Sequence, residues 1–438
     1  MRYSPHSPTE VEEMLFSIGM KNKAELFADI PDRLKLGRDL ELGPGLTEME
    51  LNRHLKELAG KNMNLDDYPC FLGAGAYDHY IPAALDQLLL RSEFYTAYTP
   101  YQPEISQGIL QAIFEYQTMI CALTGMDVAN ASLYDGASAL AEACQMACEG
   151  SRRRKVILPA TLHPEYLEVV KSYAISGKME IIMAPEQEGI IDKEATLALL
   201  DRDSACLVIQ QPNFFGCIEE IAGWEKAVHA NKSLLIMVVN PISLGLLKSP
   251  GEWGADIVVG EGQPLGNPLS FGGPYLGFMA CSKKYMRKMP GRLVGQSVDS
   301  NEETCYVLTL QAREQHIRRE QASSNICSNE ALNALAASIY LSLVGRQGLV
   351  DIAARCHQLA IYARRQMENY GLSLKYPQAF FNEFAVELDD PARINRLLLE
   401  QGIIGGYELP GALLLAFTEK RSRAEIDRLA ALIGGECR

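Results

Sequence analysis

A glycine- and proline-rich loop between two apolar runs is the part of the sequence best suited to chemistry. The run DIVVG at 256–260 predicts one short buried strand, and YLGFMA at 275–280 predicts a second. The loop between them ends in SFGGP at 270–274, whose small residues let the backbone approach a bound molecule closely. A loop held by sheet at both ends is how an α/β enzyme presents a cofactor, so we expect the ligand site here.

The elements around this loop alternate between strand and helix, which predicts an α/β fold with a mainly parallel sheet flanked by helices. The predicted strands, buried on both faces, cover 156–158, 180–183, 205–209, 233–239 and 256–260, and the helices between them cover 164–175, 193–200 and 223–230. Loops that follow parallel strands lie along one edge of the sheet. The loops that we expect to surround the ligand are 159–164, 211–216, 240–245 and 261–274.

Three regions are predicted along the chain. Residues 1–65 form an N-terminal helical arm, because Ser7-Pro8-Thr9-Glu10 and Thr47-Glu48-Met49-Glu50 each supply a capping box ahead of an apolar stripe. Residues 66–330 form the large domain, and residues 331–438 form linking helices and a small αβ domain. The elements predicted near and within this last region are helices at 329–343, 349–370 and 391–401, strands at 382–387 and 412–416, and a final helix from Arg423.

The composition indicates a globular protein with a large core, because 47% of the 438 residues are hydrophobic. A net charge of −14 argues against nucleic-acid binding through bulk charge. The 11 cysteines form no CxxC pair, so we interpret them as reduced core residues of a cytoplasmic protein and expect no metal site. Neither a secretory leader nor a run long enough for a membrane span is evident, which also predicts a cytoplasmic protein without a membrane role.

Two stretches are rich in residues that recognise partners or polar ligands. Between 71 and 107, tyrosines crowd among glycines and prolines, which suits a pocket wall, a subunit interface or plain packing. The arginines of 311–330 suit either carboxylate or phosphate recognition or the joining of two domains. The interface or pocket candidates in these stretches are Tyr95, Tyr98, Tyr101, Gln102, Glu104, Arg318 and Arg319.

The residues Asp135, Gly136, Ala137 and Ser138 lie where an alanine-rich helical pattern begins. Free backbone amides at a helix N-terminus attract an anion. Aspartate is also a common N-cap residue, and its negative charge weakens the binding of a second anion. The residue types therefore allow either an ordinary helix cap or the remnant of an anion site.

Several segments together resemble one enzyme family. GAGAYDHYIP at 73–82, SEFYTAYTPYQPEISQG at 92–108 and the glycine cluster at 272–274 are similar to parts of the P-protein of the glycine cleavage system, a fold-type I pyridoxal-phosphate enzyme. The resemblance extends over nearly the whole chain and is to the non-catalytic half of that protein. It implies a pyridoxal-phosphate transferase fold in which residues 135–138 are the vestigial equivalent of the turn that holds the cofactor phosphate in other enzymes of this fold.

The same resemblance implies that the catalytic groups are missing from this chain. Aligning the glycine cluster places Gln263 where the family has the lysine that binds the cofactor covalently, and a glutamine amide is not a nucleophile. Asn240 stands where the family has an aspartate that pairs with the pyridinium nitrogen. We therefore expect no catalytic residue here, and a separate lysine-bearing subunit that carries pyridoxal 5'-phosphate.

In that arrangement, the two chains together would decarboxylate glycine and transfer the aminomethyl group to the lipoyl group of the H-protein. The present chain would complete or scaffold the active site of its partner. Two other functions stay open. Lys248 could serve an autonomous pyridoxal-phosphate decarboxylase or aminotransferase, or the chain could be a non-enzymatic scaffold that binds a ligand.

Overall fold

The structure, a computed structural model, describes residues 5–326 and 328–436. The chain divides into two compact units, residues 1–63 and residues 64–438. Within the described residues, no helix combines the length and the apolar character that crossing a membrane requires. A further division of the second unit at residue 330 stays a prediction.

The first unit contains helices α1, Pro8–Ser17, and α2, Glu48–Ala59. Local sequence determines where each helix begins. The Ser7 hydroxyl accepts a hydrogen bond from the Glu10 N–H at 3.3 Å, and the Glu10 carboxylate accepts one from the Ser7 N–H at 2.6 Å. Thr47 opens α2 with the same reciprocal pair of bonds. Both helices therefore begin at the capping boxes that the sequence predicts.

The strands of the second unit form one large sheet and smaller ones. In chain order they are β1, Val128–Ala129; β2, Lys155–Pro159; β3, Glu180–Ala184; β4, Glu186–Gln187; β5, Ile190–Ile191; β6, Ser204–Gln211; β7, Leu234–Val239; β8, Ile257–Glu261; β9, Gly277–Cys281; β10, Leu293–Val298; β11, Thr304–Thr309; β12, Glu383–Glu387; β13, Tyr407–Leu409; and β14, Ala412–Ala416. The large sheet has the strand order β1-β9-β8-β7-β6-β2-β3. Five of the strands run parallel: β3, β2, β6, β7 and β8. At one edge of the sheet, β9 pairs antiparallel with β8, and β1 pairs antiparallel with β9. The predicted fold class is confirmed.

Helices cover both faces of the large sheet. In chain order those of the second unit are α3, Ala83–Leu89; α4, Ser92–Tyr95; α5, Gln107–Thr124; α6, Gly136–Ser151; α7, Pro164–Ala174; α8, Lys193–Leu199; α9, Trp224–Ala230; α10, Gln315–Arg318; α11, Ala331–Asn369; α12, Pro391–Glu400; and α13, Arg423–Glu436. One hydrophobic core packs around Tyr116, Trp224 and Tyr340, and another packs around Leu140 of α6. The central strands are apolar because both faces are covered.

Several features differ from the sequence-based expectation, and two of them concern larger elements. Strands β10 and β11 form an antiparallel hairpin that the sequence analysis does not include. The predicted helices at 329–343 and 349–370 are joined in α11, where Gly345 has a φ of 59° and interrupts the helical conformation. This left-handed conformation is favourable for glycine and costly for other residues, so Gly345 divides α11 within the predicted gap.

Candidate functional site

A cleft lies at the carboxyl ends of the parallel strands and has a volume of about 490 Å³, including its open mouth. Each of the four predicted loops contributes to its lining. The contributing residues are His163 from the first loop, Pro212, Asn213 and Gly216 from the second, Asn240 and Pro241 from the third, and Glu261 and Pro264 from the fourth. The segment ahead of α3 adds Tyr77, and the start of β12 adds Glu383. The four predicted loops therefore surround a cleft at this edge of the sheet, and binding of a ligand there stays a prediction.

Gln263 lies between two cleft residues and is only 1% exposed. Its Oε1 accepts a hydrogen bond from the Tyr77 N–H at 2.9 Å. Its Nε2 donates to the carbonyls of Tyr77 at 3.0 Å and Asn267 at 2.7 Å. A carboxamide suits this position because it is both a donor and an acceptor, whereas a lysine ammonium has no acceptor. We call this set of bonds the Gln263 clasp, because it joins the glycine-rich loop to the segment 73–82.

Glu261, the last residue of β8, places a carboxyl group at the N-terminus of α6. Its Oε2 accepts a hydrogen bond from the Gly136 N–H at 3.0 Å. Its Oε1 accepts from the N–H groups of Gln263 at 2.9 Å and Leu276 at 3.0 Å. Burial raises the pKa of Glu261 to about 7, although the three backbone donors act in the opposite direction. A side chain of the protein therefore occupies the place at the helix N-terminus where an anion would bind.

The four sequence candidates at 135–138 form the first turn of α6. Asp135 Oδ1 accepts a hydrogen bond from the Ser138 N–H at 2.7 Å, and the Asp135 N–H donates to the Ser138 hydroxyl at 3.1 Å. A Cβ atom at Gly136 would collide with the Tyr166 hydroxyl, so this tyrosine packs directly on the helix N-terminus. Ala137 is buried. The structure thus uses Asp135 and Ser138 as a helix cap.

Glu383 fixes the segment 73–82 from the side of the small C-terminal sheet. This buried carboxyl group accepts hydrogen bonds from the Ala74 N–H at 2.7 Å and from the Tyr77 hydroxyl at 2.9 Å. Burial raises the pKa of Glu383 to about 7, and these two bonds only partly oppose that effect. Burial also raises the pKa of Tyr77 well above its usual value, so its hydroxyl stays a donor.

Charged pairs hold the following residues of the same segment. Asp78 pairs with Lys420 at 2.6 Å and with Arg421 at 3.2 Å. His79 Nδ1 lies 2.7 Å from an oxygen of Glu419. Burial favours the neutral form of Glu419, but the pairing with His79 outweighs burial and brings its pKa down to about 2. Removing one member of a buried pair leaves an uncompensated charge, so these pairs keep the segment in one position.

Asn240 lines the cleft directly after β7, as the resemblance implies for its position. Its Oδ1 accepts a hydrogen bond from the Ile242 N–H at 3.0 Å, so the side chain caps the turn that follows. Lys248 is exposed, and its ammonium lies 4.2 Å from the centre of the Trp253 ring. No lysine belongs to the described residues that line the cleft. The structure therefore does not favour an autonomous enzyme that uses Lys248.

His163 supplies an aromatic but uncharged wall of the cleft. Its ring stacks on Tyr166 with centroids 4.8 Å apart. Nδ1 accepts a hydrogen bond from the Glu165 N–H at 3.1 Å, and Nε2 donates to the Ala74 carbonyl at 2.8 Å, which is the pattern of the neutral ring. Burial lowers the pKa of His163. The described lining of the cleft therefore offers no cation that would balance a phosphate.

The interface or pocket candidates lie elsewhere on the surface. All seven are exposed and outside the cleft lining: Tyr95, Tyr98, Tyr101, Gln102, Glu104, Arg318 and Arg319. The Tyr101 hydroxyl accepts a hydrogen bond from the guanidinium of Arg292 at 3.1 Å. In the arginine-rich stretch, Arg313 joins two segments, since it donates to the carbonyls of Met289 and Gly291. Whether the seven candidates contact a partner stays a prediction.

Comparison with known proteins identifies the family. A family model for the glycine cleavage system P-protein matches residues 1–433. This chain belongs to the glycine cleavage system P-protein family. Among curated P-protein relatives, a probable glycine dehydrogenase (decarboxylating) subunit 1 from Desulforamulus reducens is 56% identical over 99% of each chain. Another, from Listeria monocytogenes, is 51% identical over 99% of each chain.

Solved structures agree with this P-protein assignment. A crystal structure of glycine decarboxylase, the P-protein of the glycine cleavage system, in inhibitor-bound form superposes with a TM-score of 0.92 and 39% identity. The superposition covers 99% of this chain and 100% of that chain. A sphingosine-1-phosphate lyase from Burkholderia pseudomallei, with a TM-score of 0.67 and 15% identity over 93% of this chain and 94% of that one, shares the fold alone. The fold is that of the fold-type I pyridoxal-phosphate enzymes.

The cleft residues of this P-protein family member do not fit pyridoxal phosphate. The Gln263 clasp fills the position at which the family resemblance expects a lysine. At the N-terminus of α6, the Gly136 and Ser138 amides already donate to the carboxyl groups of Glu261 and Asp135. Those acids would repel a phosphate, because like charges at short distance disfavour each other.

Replacing Gln263 with lysine is therefore expected not to create a cofactor site. The new ammonium cannot accept from the Tyr77 N–H, and the α6 amides stay bound to Glu261 and Asp135. We expect Gln263→Lys, incubated with pyridoxal phosphate and reduced with borohydride, to give no more adduct than Gln111→Lys, which adds an exposed lysine on α5. A yellow Gln263→Lys protein with an adduct on residue 263 would contradict this expectation.

Sequence reasoning missed Glu261, Glu383 and Tyr166 as residues of the site. Glu261 carries a usable signal, because an acid directly after a buried apolar strand requires a hydrogen-bonding partner. Glu383 has a similar signal as the acid directly before the apolar run Phe384–Val386. Tyr166 carries none, since its contact with Gly136 is set by the packing of α7 against α6.

Proposed function

We propose that this chain is the lysine-free subunit of a two-subunit glycine dehydrogenase (decarboxylating). The second subunit would carry the lysine and pyridoxal 5'-phosphate. Together the subunits would decarboxylate glycine and transfer the aminomethyl group to the lipoyl group of the H-protein. Family membership supports this proposal, and the term "subunit 1" in the names of the relatives implies a second subunit.

The Gln263 clasp is the observation that best supports assigning the lysine and the cofactor to the second subunit. A residue that is 1% exposed, with its amide donating two hydrogen bonds and accepting one, is a structural element and not a nucleophile. Bound in the second subunit, the cofactor would supply the electron sink for decarboxylation. The present chain would instead act as a scaffold that positions residues of the second subunit.

The contacts of the segment 73–82 support such a scaffolding role. Gln263, Glu383 and the charged pairs of Asp78 and His79 hold this segment between the glycine-rich loop and the small C-terminal sheet. A rigid body of this kind can position residues of a neighbouring subunit. We further propose that the exposed Tyr95–Glu104 segment, with Arg318 and Arg319, reaches the second subunit and completes its pocket.

The test is to purify the chain alone and together with its candidate second subunit. Visible absorbance reports the bound cofactor, and glycine-dependent exchange of carboxylate with CO2 reports the chemistry. We expect the chain alone to be colourless and inactive, and the mixture to be yellow and active. Activity of the second subunit without this chain, or a coloured chain with a borohydride-fixed lysine, would contradict the proposal.

We also propose a cytoplasmic location, because the thiols of the described cysteines are free. Most of them are buried in the core, where a reduced thiol behaves as a small apolar group. Disulfides are rare in a reducing cytoplasm. Fractionation of cells with an antibody to this chain checks the location, and recovery with membranes or medium would contradict it.

A further inference from the structure

Three side chains that can bind a metal ion meet in the interior, next to the segment 73–82. They are His79 from that segment, Cys356 from α11 and Glu419, which follows β14. Their ligand atoms all lie within 4.8 Å of one another. Oε2 of Glu419 lies 2.7 Å from His79 Nδ1 and also accepts a hydrogen bond from the Cys356 thiol at 3.3 Å. We call these three residues the His-Cys-Glu cluster.

The His-Cys-Glu cluster is largely closed to solvent. Cys356 is 0% exposed and His79 is 6% exposed, whereas the side chain of Glu419 is 14% exposed. The carboxyl group therefore offers a dissolved ion a route from solvent to the two buried ligands. A metal site needs such an entry path as well as a suitable set of donors.

Hydrogen bonding leaves polar atoms beside the cluster unpaired. His79 Nε2 and the Tyr340 hydroxyl have no hydrogen-bond partner within the part of the chain that the structure describes. Burial raises the pKa of Tyr340, and the charges of Glu419 and Cys356 add to this effect, so the hydroxyl lies near both ligands. Buried polar atoms without a protein partner are uncommon, and a bound water molecule or ion is one explanation for them.

The charge of the cluster also favours a cation. Among the described residues, no lysine or arginine forms an ion pair with Glu419, because Lys420 and Arg421 pair with Asp78 instead. Charges inside a protein are usually paired or coordinate a metal ion. A divalent cation bound to one carboxylate and one thiolate has no net charge, which suits a buried position.

We propose that the His-Cys-Glu cluster binds Zn²⁺. Nitrogen, sulfur and oxygen donors suit zinc, whereas calcium and magnesium prefer oxygen ligands alone. In a tetrahedral zinc site the ligand atoms lie roughly 3.3 to 3.7 Å apart, so the cluster needs a rearrangement of about one ångström to bind the ion. A water molecule near the Tyr340 hydroxyl would be the fourth ligand. On binding, the thiol proton leaves to solvent, and the His79 ring keeps a proton only at Nε2.

The ion would join three parts of the chain that are distant in sequence. His79 and Glu419 are 340 positions apart, so no local motif indicates the site, and the sequence-based expectation is that no metal binds. A bound ion would hold the segment 73–82 against α11 and the residues after β14. This role does not depend on the proposed function, because it concerns the chain by itself.

The test uses the full chain, which is first freed of metal with a chelator. Zinc is then titrated in competition with a chromophoric chelator, and cobalt is added separately as a spectroscopic probe. The cluster variants are Cys356→Ser and Glu419→Gln. The matched control is Cys217→Ser, since Cys217 is another buried cysteine but lies outside the cluster. Circular dichroism and thermal melting without metal verify that each variant folds.

We expect the wild type and Cys217→Ser to bind about one zinc ion per chain. Cys356→Ser should weaken zinc binding by about 100-fold or more, because losing even a partner that only orients a ligand costs 10- to 100-fold. Glu419→Gln should weaken it as well. Cobalt should give thiolate-to-metal charge-transfer absorption in the wild type and in Cys217→Ser, but not in Cys356→Ser, because the absorption requires the thiolate.

Three results would overturn the proposal. The first is a wild-type chain that does not retain zinc through gel filtration. The second is equal zinc affinity in Cys356→Ser and Cys217→Ser, which would show adventitious binding at surface residues. The third is a cobalt-loaded wild-type chain without charge-transfer absorption, a measurement that decides the question even if a cluster variant does not fold.

Discussion

Replacing Gln263 with leucine is expected to lower the free energy of unfolding by about 3 kcal/mol, because buried polar groups would lose their partners. The Tyr77 N–H and the carbonyls of Tyr77 and Asn267 all bond to this side chain. Leucine has a similar volume but neither donor nor acceptor, so the loss is of hydrogen bonds and not of packing. Urea unfolding followed by tryptophan fluorescence measures the change as a lower midpoint.

The control for this prediction is Gln111→Leu. Gln111 is exposed on α5, and its amide bonds to Glu115 at the surface, where water can replace the bond. We expect its effect on the free energy of unfolding to stay within about 0.5 kcal/mol. Equal urea midpoints for the two leucine variants would show that the Gln263 clasp does not stabilise the fold.

The stability of the chain is expected to fall as the pH rises from about 5 to about 7, because at least three buried carboxyl groups bind protons more tightly in the folded state. Glu142, Glu261 and Glu383 have pKa values of about 7 in the fold, raised by burial from an ordinary value of 4.5. Between pH 4.5 and pH 7 these carboxyl groups are ionised in the unfolded chain but still protonated in the folded chain. Raising the pH through this range therefore favours unfolding. Their stabilising contribution is complete below pH 4.5 and disappears as the pH passes 7. The loss is on the order of 3 kcal/mol for each group.

Glu419 has the opposite effect in a different pH range. Its pKa of about 2 is below the ordinary value of 4.5, despite the opposing effect of burial, because it pairs with His79. Its contribution is therefore complete above pH 4.5 and is lost as the pH falls towards 2. Measurements between about pH 5 and pH 8 therefore exclude the effect of Glu419 and report the groups whose pKa is raised by burial.

A carboxamide variant separates Glu383 from the other titrating groups. Glu383→Gln keeps the shape of the side chain but cannot ionise, so the decline in stability between about pH 5 and pH 7 should become about one third less steep, because Glu142 and Glu261 still titrate. Glu387→Gln, at the exposed end of the same strand, is the matched control and should keep the wild-type slope. Identical pH profiles for the two variants would rule out the assigned role of Glu383.

Local signals in the sequence predict the elements and the position of the cleft. The capping boxes at Ser7 and Thr47 depend on residues three positions apart, and both form. The apolar runs at β6, β7 and β8 predict adjacent parallel strands, which then bring their following loops to one edge. The missed hairpin of β10 and β11 contains polar residues on both sides of its turn, so its pattern is weaker than that of the core strands.

The interior of the cleft could not be predicted in this way. Tyr77 and Gln263 are 186 residues apart in sequence, and Ala74 and Glu383 are 309 apart. No local pattern indicates which buried carboxyl group will meet which backbone N–H, because tertiary packing decides such pairs. The family resemblance assigns Gln263 to the lysine position, which stays a prediction, and it does not predict that Glu261 would bind the helix N-terminus.

Glu261 also has a consequence for the supply of cofactor. A protein that depends on a bound ligand gains about 2.7 kcal/mol only when the free ligand is about 100-fold above its Kd. In this chain the carboxyl group at the start of α6 belongs to a side chain of the protein and is present in every molecule. Under the proposed function, this chain would fold without pyridoxal phosphate, and assembly of the enzyme would be limited by the subunit that must acquire the cofactor.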